Sequence, residues 1–228
     1  MAAVIRMEKV SFGYDGRETL SELTAEIDPG SFHFLTGPSG AGKTTLMKLL
    51  YLEHLPTRGR FELFGENPVG LPQQNIARIR RRVGVVFQDF RLLDHLNVLA
   101  NIALPLHASG KVISDHEQDV LDLVQWVGLD HRKLAFPQEL SAGEKQRAAI
   151  ARAVINSPDV ILADEPTGNI DPDMGSRILK LLVELNRLGK TVVLATHDLG
   201  LIRNAKTMVE ARILRLADGH LAQGAMTL

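Results

Sequence analysis

No cysteine occurs in the 228 residues, which excludes disulfides and thiolate-bound metal and is merely compatible with a reducing compartment. An excess of either charge is also lacking. Lys and Arg total 26 against 27 Asp and Glu, for a net charge of −1, so the chain carries no broad basic face of the kind that grips DNA or RNA. No uninterrupted apolar stretch approaches the length of a membrane span. Met1 to Val10, interrupted by Arg6, Glu8 and Lys9, does not read as a signal peptide. Repeats, low-complexity tracts and linkers are missing as well. Together these absences predict a cytoplasmic chain whose only route to a membrane is a partner.

What is present is ordinary in composition, 45% apolar and 23% charged, and long enough for one full core with an appended subdomain. One stretch stands out. Gly37-Pro38-Ser39-Gly40-Ala41-Gly42-Lys43-Thr44 satisfies GxxxxGK[ST]. The apolar run Phe32-His33-Phe34-Leu35 before it reads as a short buried strand, and Thr45 to Leu50 after it as a helix. A chance glycine-rich turn is the bland alternative, but a turn between strand and helix is where backbone N–H groups and a helix N-terminus can wrap a phosphate chain. Gly37 to Thr45 are therefore the predicted phosphate-binding set. Lys43 would reach the terminal phosphates, and the Thr44 hydroxyl would serve as a ligand for Mg²⁺. The chain is expected to bind ATP or a close relative of it.

Around this loop the pattern alternates. Val4 to Phe12 and Leu20 to Ile27 read as strands, followed by Arg60 to Phe64. Val83 to Phe87 has the continuous β-branched look of a strand buried on both faces. The middle is helical. Asn97 to His107 is one helix and Ser114 to Val127 another, the second opening on a Ser114–Glu117 capping box and striped with Val120, Leu123, Val124 and Val127. Gly143 to Ile155 is a third. Strands return at Asp159 to Ala163 and Thr191 to Ala195 around a helix over Asp173 to Leu188. The end reads as a hairpin turning at Asp218-Gly219. The expected fold is α/β: a phosphate-loop NTPase core with an N-terminal antiparallel β subdomain and an inserted helical subdomain. The division is core over about 1–88 and 158–228, helical subdomain over about 89–157.

Two further constellations carry chemistry. The strand Val160-Ile161-Leu162-Ala163 ends in Asp164-Glu165, and a buried parallel strand delivers such residues to the ligand-binding edge of the sheet. Adjacent acids at a strand end often only meet solvent. Beside a phosphate loop, Asp164 reads as a Mg²⁺ ligand and Glu165 as the base for an attacking water. Leu140-Ser141-Ala142-Gly143-Glu144 opens a helix, and by itself this is ordinary N-capping.

Taken with the phosphate loop and lying about twenty residues before Asp164-Glu165, that pentapeptide resembles the LSGGQ signature of ATP-binding cassette (ABC) ATPases, and the resemblance covers essentially the whole chain. It implies that Ser141 and Gly143 touch the ATP of a second subunit in a head-to-tail homodimer with ATP at the interface. It implies that Tyr14 stacks on adenine, where the alternative is a half-buried strand tyrosine. Gln88 would be the glutamine that touches Mg²⁺ or the attacking water. Gly168-Asn169-Ile170-Asp171 would be the loop that communicates across the dimer, with Asp171 at its end. His197 would contact the γ-phosphate, a role credible only as part of the set. The other seven histidines show no metal-ligand spacing. The chain departs from the pattern at Ala142, where glycine is usual, which matters only if that position needs φ > 0. Glu144 for glutamine is a common variation.

Finer similarity, in Phe34 to Lys43, Phe87 to Leu93, Ala163 to Asn169 and Asp218 to Leu221, is to bacterial cell-division members of the family. They pair with an integral membrane protein and control peptidoglycan hydrolysis from the cytoplasmic face of the inner membrane. The ATPases of lipoprotein-release and macrolide export are the alternative, and a soluble cassette acting on nucleic acid or ribosomes is one of another class. Without basic excess, Arg78, Arg80, Arg81 and Arg82 read as a solvated helix face, and no nucleic acid is expected. The resemblance places the partner's docking surface near Gln88 to Leu93, with Asp89, Phe90, Leu92 and Leu93 in it.

Overall fold

The computed structural model describes residues 2–168, 170–222 and 226–227. Strands β1 (Ile5–Tyr14), β2 (Arg17–Ile27) and β4 (Arg58–Leu63) form an antiparallel sheet in the order β2-β1-β4. The larger sheet contains β3 (Phe32–Thr36), β5 (Val83–Val86), β6 (Val160–Asp164), β7 (Thr191–Ala195), β8 (Ala211–Ala217) and β10 (Met226–Thr227), in the order β10-β8-β3-β7-β6-β5. From β8 through β5 every pairing is parallel. Strand β10 and the short β9 (His220–Leu221) run antiparallel to β8. This is the expected α/β architecture.

Three apolar cores follow from the patterning. One lies between the two sheets, where alternating Ile5, Met7 and Val10 of β1 meet Leu35, Leu162 and Val193, with helix α1 (Lys43–Leu50) packed in through Leu46 and Leu49. The second covers the opposite face of the large sheet with α6 (Pro172–Arg187) and α7 (Leu199–Ala205). The third is helical. It joins α3 (Val98–Ala108), α4 (Glu117–Trp126) and the face of α5 (Ala142–Val154) that carries Ala148 and Ala151. Ile150 and Val154 of the same α5 reach the second core, so this helix belongs to both the sheet and the helical unit. No helix among the described residues is long and apolar enough to cross a membrane.

Two expectations need correction, and one helix had no sequence signal. Strand β5 is not buried on both faces. It is the edge of the sheet, with Gly84 and Val86 buried and Val83 and Val85 only partly covered. A run of β-branched residues cannot tell an edge from a centre, because α5 packs on one side only. The Ser114–Glu117 capping box does not form: residues Ile113–His116 make a 3₁₀ turn, α4 begins at Glu117, and the Ser114 hydroxyl turns to Asp115. Helix α2 (Gln73–Arg80) has only Ile76 and Ile79 buried, too thin a stripe to announce a boundary. Arg78 and Arg80 do lie on it.

Candidate active site

The phosphate loop is a piece of forced geometry. Gly37 has φ +153°, and a Cβ there would stand 2.0 Å from the Leu216 carbonyl oxygen on β8. Gly42 has φ +101°, with Leu20 Cδ2 2.8 Å from where its Cβ would be. No larger residue fits either place. Gly42 is also the N-cap of α1. It supplies no side chain to cap the helix, and the first turn carries no acid. Unpaired N–H groups and the positive end of the helix are thus left facing the cleft, as an anion requires.

That cleft, about 540 Å³, is lined by Ser39, Gly40, Lys43, Thr44 and Thr45 from the loop and by Thr19, Gln88, Glu165 and His197 from elsewhere. The Lys43 ammonium is nearly buried and curls back to donate to the carbonyls of Gly37 (2.9 Å) and Pro38 (3.1 Å). Its third donor stays uncommitted. At the end of β6 the backbone turns through a left-handed Glu165 (φ +45°), whose N–H bonds the Ala195 carbonyl at 2.9 Å. A residue with a Cβ held in that region is a strained conformation of the kind found at working sites. The turn places Glu165 Oε1 4.0 Å from Lys43 Nζ and 2.8 Å from His197 Nδ1. A carboxylate only accepts, so the His197 Nδ1–H donates to it.

Asp164 faces an adjoining pocket shared with Thr44, Gln88, Asp89 and Arg91. Burial pushes its carboxyl pKa up, while the Thr44 hydroxyl and the Lys43 charge pull the other way. Its Oδ1 is buried with no hydrogen-bond partner. An orphaned carboxylate oxygen beside a hydroxyl is a hard-oxygen donor set of the type Mg²⁺ takes. No group of three or more His, Asp or Glu side chains among the described residues could hold a metal by itself. An ion here would have to share its coordination with phosphate and water, which is how Mg²⁺ is usually held.

The remaining predicted residues stand outside the cleft. Tyr14 forms an aromatic cluster with Phe12 and His54, its hydroxyl 3.1 Å from His54 Nε2. Ser141 caps α5 in a full capping box: its hydroxyl donates to Glu144 Oε2 (2.8 Å) and accepts from Glu144 N–H (3.3 Å), and its own N–H reaches the same carboxylate oxygen (2.8 Å). Burial pushes Glu144 up, but the Ser141 bonds and the charges of Arg132 and Arg147 prevail, and its pKa lies below the usual glutamate value. Ala142 sits in helical backbone and is not among the left-handed residues, so alanine meets no constraint there. Gly143 is explained by packing, since its Cβ would stand 2.7 Å from Met174 Cγ on α6. Asp171 caps α6 by accepting from Met174 N–H at 2.9 Å. Gly168 and Ile170 of the same loop are described, whereas Asn169 lies outside the described residues.

Sequence reasoning passed over Thr19, which lines the cleft from β2, and Arg91, which faces Asp164's pocket. Neither belongs to a spaced pattern, so no local signal marks them. A groove of about 440 Å³ runs between β5, α3 and α5. Its walls include Val83, Leu104 and Pro105, and its cations are Arg80, Arg81, Arg91 and Arg152. Asp89, Phe90, Leu92 and Leu93 do not line it.

Compared with known proteins, residues 20–168 match the family described as ABC transporter. The cell division ATP-binding protein FtsE of Escherichia coli (strain K12) is 43% identical over 222 residues, covering 97% of this chain and 98% of that protein. The protein of the same name from Bacillus subtilis (strain 168) is 41% identical over 96% of this chain and 95% of its own length. The fold is similar to that of a dimeric ATP-binding cassette solved after hydrolysis with bound ADP and phosphate, at a TM-score of 0.86, 32% identity and 98% coverage of both chains.

Proposed function

Because this chain belongs to the ABC transporter family and is an ATPase of that family, we propose that it is the ATP-driven subunit of a bacterial cell-division complex, acting on an integral membrane partner resembling FtsX to regulate peptidoglycan hydrolysis. The division into a core (about 1–88 and 158–228) and a helical subdomain (about 89–157) belongs to the same proposal. The ATPase part is carried by the position of Glu165, which a left-handed backbone turns toward both Lys43 and His197 at the edge of a cleft floored by an uncapped helix N-terminus, and the cell-division part is supported by the similarity to the FtsE proteins.

Each residue has a physical task. The loop from Gly37 to Thr45 offers N–H groups to the triphosphate. Lys43 adds a fixed cation, exchanging carbonyl partners for phosphate oxygens. Glu165 takes the proton of the water that attacks the γ-phosphorus in line, and His197 holds that carboxylate in place. Thr44, Asp164 and Gln88 would hold Mg²⁺, which when bound neutralises phosphate charge. Tyr14 would carry the adenine. Ser141, Gly143 and Asp171, standing outside their own cleft, fit a role at the ATP of a second copy, and the similarity to a dimeric cassette supports that arrangement. The apolar groove rimmed by arginines fits an amphipathic segment of the membrane partner, which would hold the chain at the cytoplasmic face of the inner membrane.

The chemistry is tested by Glu165→Gln and Lys43→Ala. The first should keep ATP affinity, lower phosphate release by about a hundredfold or more and accumulate an ATP-bound dimer. The second should weaken ATP binding itself. Equal loss of binding in both variants would reject these roles. The cellular reading is tested by capture from membranes with the glutamine variant. An FtsX-type protein is the expected partner, and a lipoprotein-release or macrolide-type permease would replace the cell-division role.

A further inference from the structure

After β5 the chain passes Gln88 and Asp89 and then takes two successive left-handed residues, Phe90 (φ +60°) and Arg91 (φ +49°). Both carry a Cβ, and two in a row is a conformation the backbone does not hold by itself. Local bonds are thin: Arg91 N–H reaches the Asp89 carbonyl (2.6 Å) and Phe90 N–H the Phe87 carbonyl (3.2 Å). The Arg91 guanidinium lies over the Phe87 ring, 3.9 Å from its centroid. The firm hold comes from sixty residues away. Arg152 of α5 sends Nη2 to the Phe90 carbonyl at 2.6 Å and Nη1 to the Arg91 carbonyl.

A guanidinium is a planar fork, and here its two prongs take two consecutive carbonyls. No carboxylate among the described residues pairs with Arg152. Both of its hydrogen bonds go to backbone carbonyls, and the Asp89 carboxylate acts on its charge from beyond ion-pair distance. Further along, the buried Asn101 side chain accepts from Leu93 N–H (2.8 Å) and donates to the carbonyls of Leu93 (3.1 Å) and Leu96 (2.8 Å). The segment after Gln88 is thus pinned twice, from α5 and from α3. Gln88 lies between the last residues of β5 and the first pin.

We propose that Arg152 is a positioning residue: its fork locks the left-handed Phe90-Arg91 turn and so holds Gln88 at the rim of the triphosphate cleft. The inference rests on the reading that Gln88 works in that cleft. It also ties two parts of the machine together, because Ser141 caps the N-terminus of α5 and Arg152 lies on the same helix. A shift of α5 moves the clamp with it.

The test uses the full chain with Arg152→Ala, Arg152→Lys, Phe90→Gly and the Phe90→Gly/Arg152→Ala double variant. In nucleotide-free protein, amide hydrogen exchange across residues 88–93 should speed up at least roughly tenfold in Arg152→Ala, while α1 and β6 stay as in wild type. ATP affinity should hold while kcat falls by about tenfold or more, since small misplacements of a catalytic group are costly. Lysine, with one prong, should fall in between. Glycine at position 90 accepts a left-handed backbone unaided, so the double variant should recover slow exchange and part of the lost kcat. Unchanged exchange in Arg152→Ala, matching losses of affinity and kcat, or no recovery with glycine would each overturn the proposal. If Arg152→Ala does not fold, the lysine variant with and without Phe90→Gly decides by the same criteria. A wild-type chain with no ATP turnover would sink the reading of the cleft, whereas the exchange measurement would still decide the clamp.

Discussion

His33 sits in the middle of β3, the strand that delivers the chain to the phosphate loop, and it should make the protein acid-sensitive well above the carboxylate range. Its side chain is buried at 1% exposure between β7 and β8, opposite Val193 and Arg212. The Ser31 hydroxyl gives its only proton to the Asp28 carbonyl at 2.6 Å, so at 3.0 Å from His33 Nε2 it can only accept. Nε2 therefore carries the ring proton, and the bare Nδ1 is buried with no partner. Protonating Nδ1 would add a charge and an N–H with no acceptor, beside the Arg212 cation. Burial first, and then Arg212, lower the pKa from 6.5 to about 4. At 1.36 kcal/mol per unit, that gap amounts to about 3 kcal/mol.

The sign follows from proton counting. Above pH 6.5 the ring is neutral in both states and contributes nothing to pH dependence. Between 6.5 and about 4 the unfolded chain takes up a proton that the folded chain refuses, so stability falls as pH falls, and the fall stops below the folded pKa. For a domain with a total stability of roughly 5–15 kcal/mol this is a large share. Urea midpoints of wild type and His33→Leu, taken from pH 7.5 to 4.5, isolate the term because the carboxylates titrate equally in both. The stability difference should shift by about 2–3 kcal/mol in favour of leucine across that range, at constant m-value. A difference that stays flat with pH would refute the burial argument.

Other outcomes follow from the same geometry. Gly37→Ala drives a Cβ into the Leu216 carbonyl and should cost several kcal/mol of stability along with ATP binding, read by melting and nucleotide titration. Lowering the pH through the depressed pKa of Glu144 should undo its bonds to Ser141. That contribution, present above the unfolded value near 4.5, disappears as acid overtakes the folded one. Glu144→Gln should keep the cap, through its side-chain carbonyl, but remove this acid dependence. The test is a pair of pH-dependent unfolding curves, and superimposable ones would argue against the capping role. Gly143→Ala must push Met174 aside. It should lower stability by about 1 kcal/mol or more while leaving ATP affinity at the phosphate loop unchanged.

Much of this molecule could be read from the chain because the phosphate loop, the strand ending in Asp164-Glu165 and the helix stripes are local patterns with fixed spacings. The failures share a cause. Whether Val83 to Val86 lies inside a sheet or on its edge depends on what stands beside it in space, and a β-branched run carries no record of that. Ser114 and Glu117 have the right interval for a cap, yet a 3₁₀ turn takes Ser114 and the helix starts only at Glu117. Arg152 was invisible as a clamp, since its purpose depends on the φ angles of residues far off in sequence. His33 looks like any strand residue until its neighbours are known.

The exposed border of the large sheet has a bearing on solubility. A β-strand with one side unpaired offers a row of free backbone groups to any passing chain, and natural proteins blunt such borders with brevity and positive charge. Strand β5 is four residues long and is entered through Arg80, Arg81 and Arg82. Gly84 lets α5 press so close that a Cβ there would meet the Ala153 carbonyl at 2.3 Å. The short border, crowded by a helix and entered through arginines, is a poor template for edge-to-edge pairing of two chains.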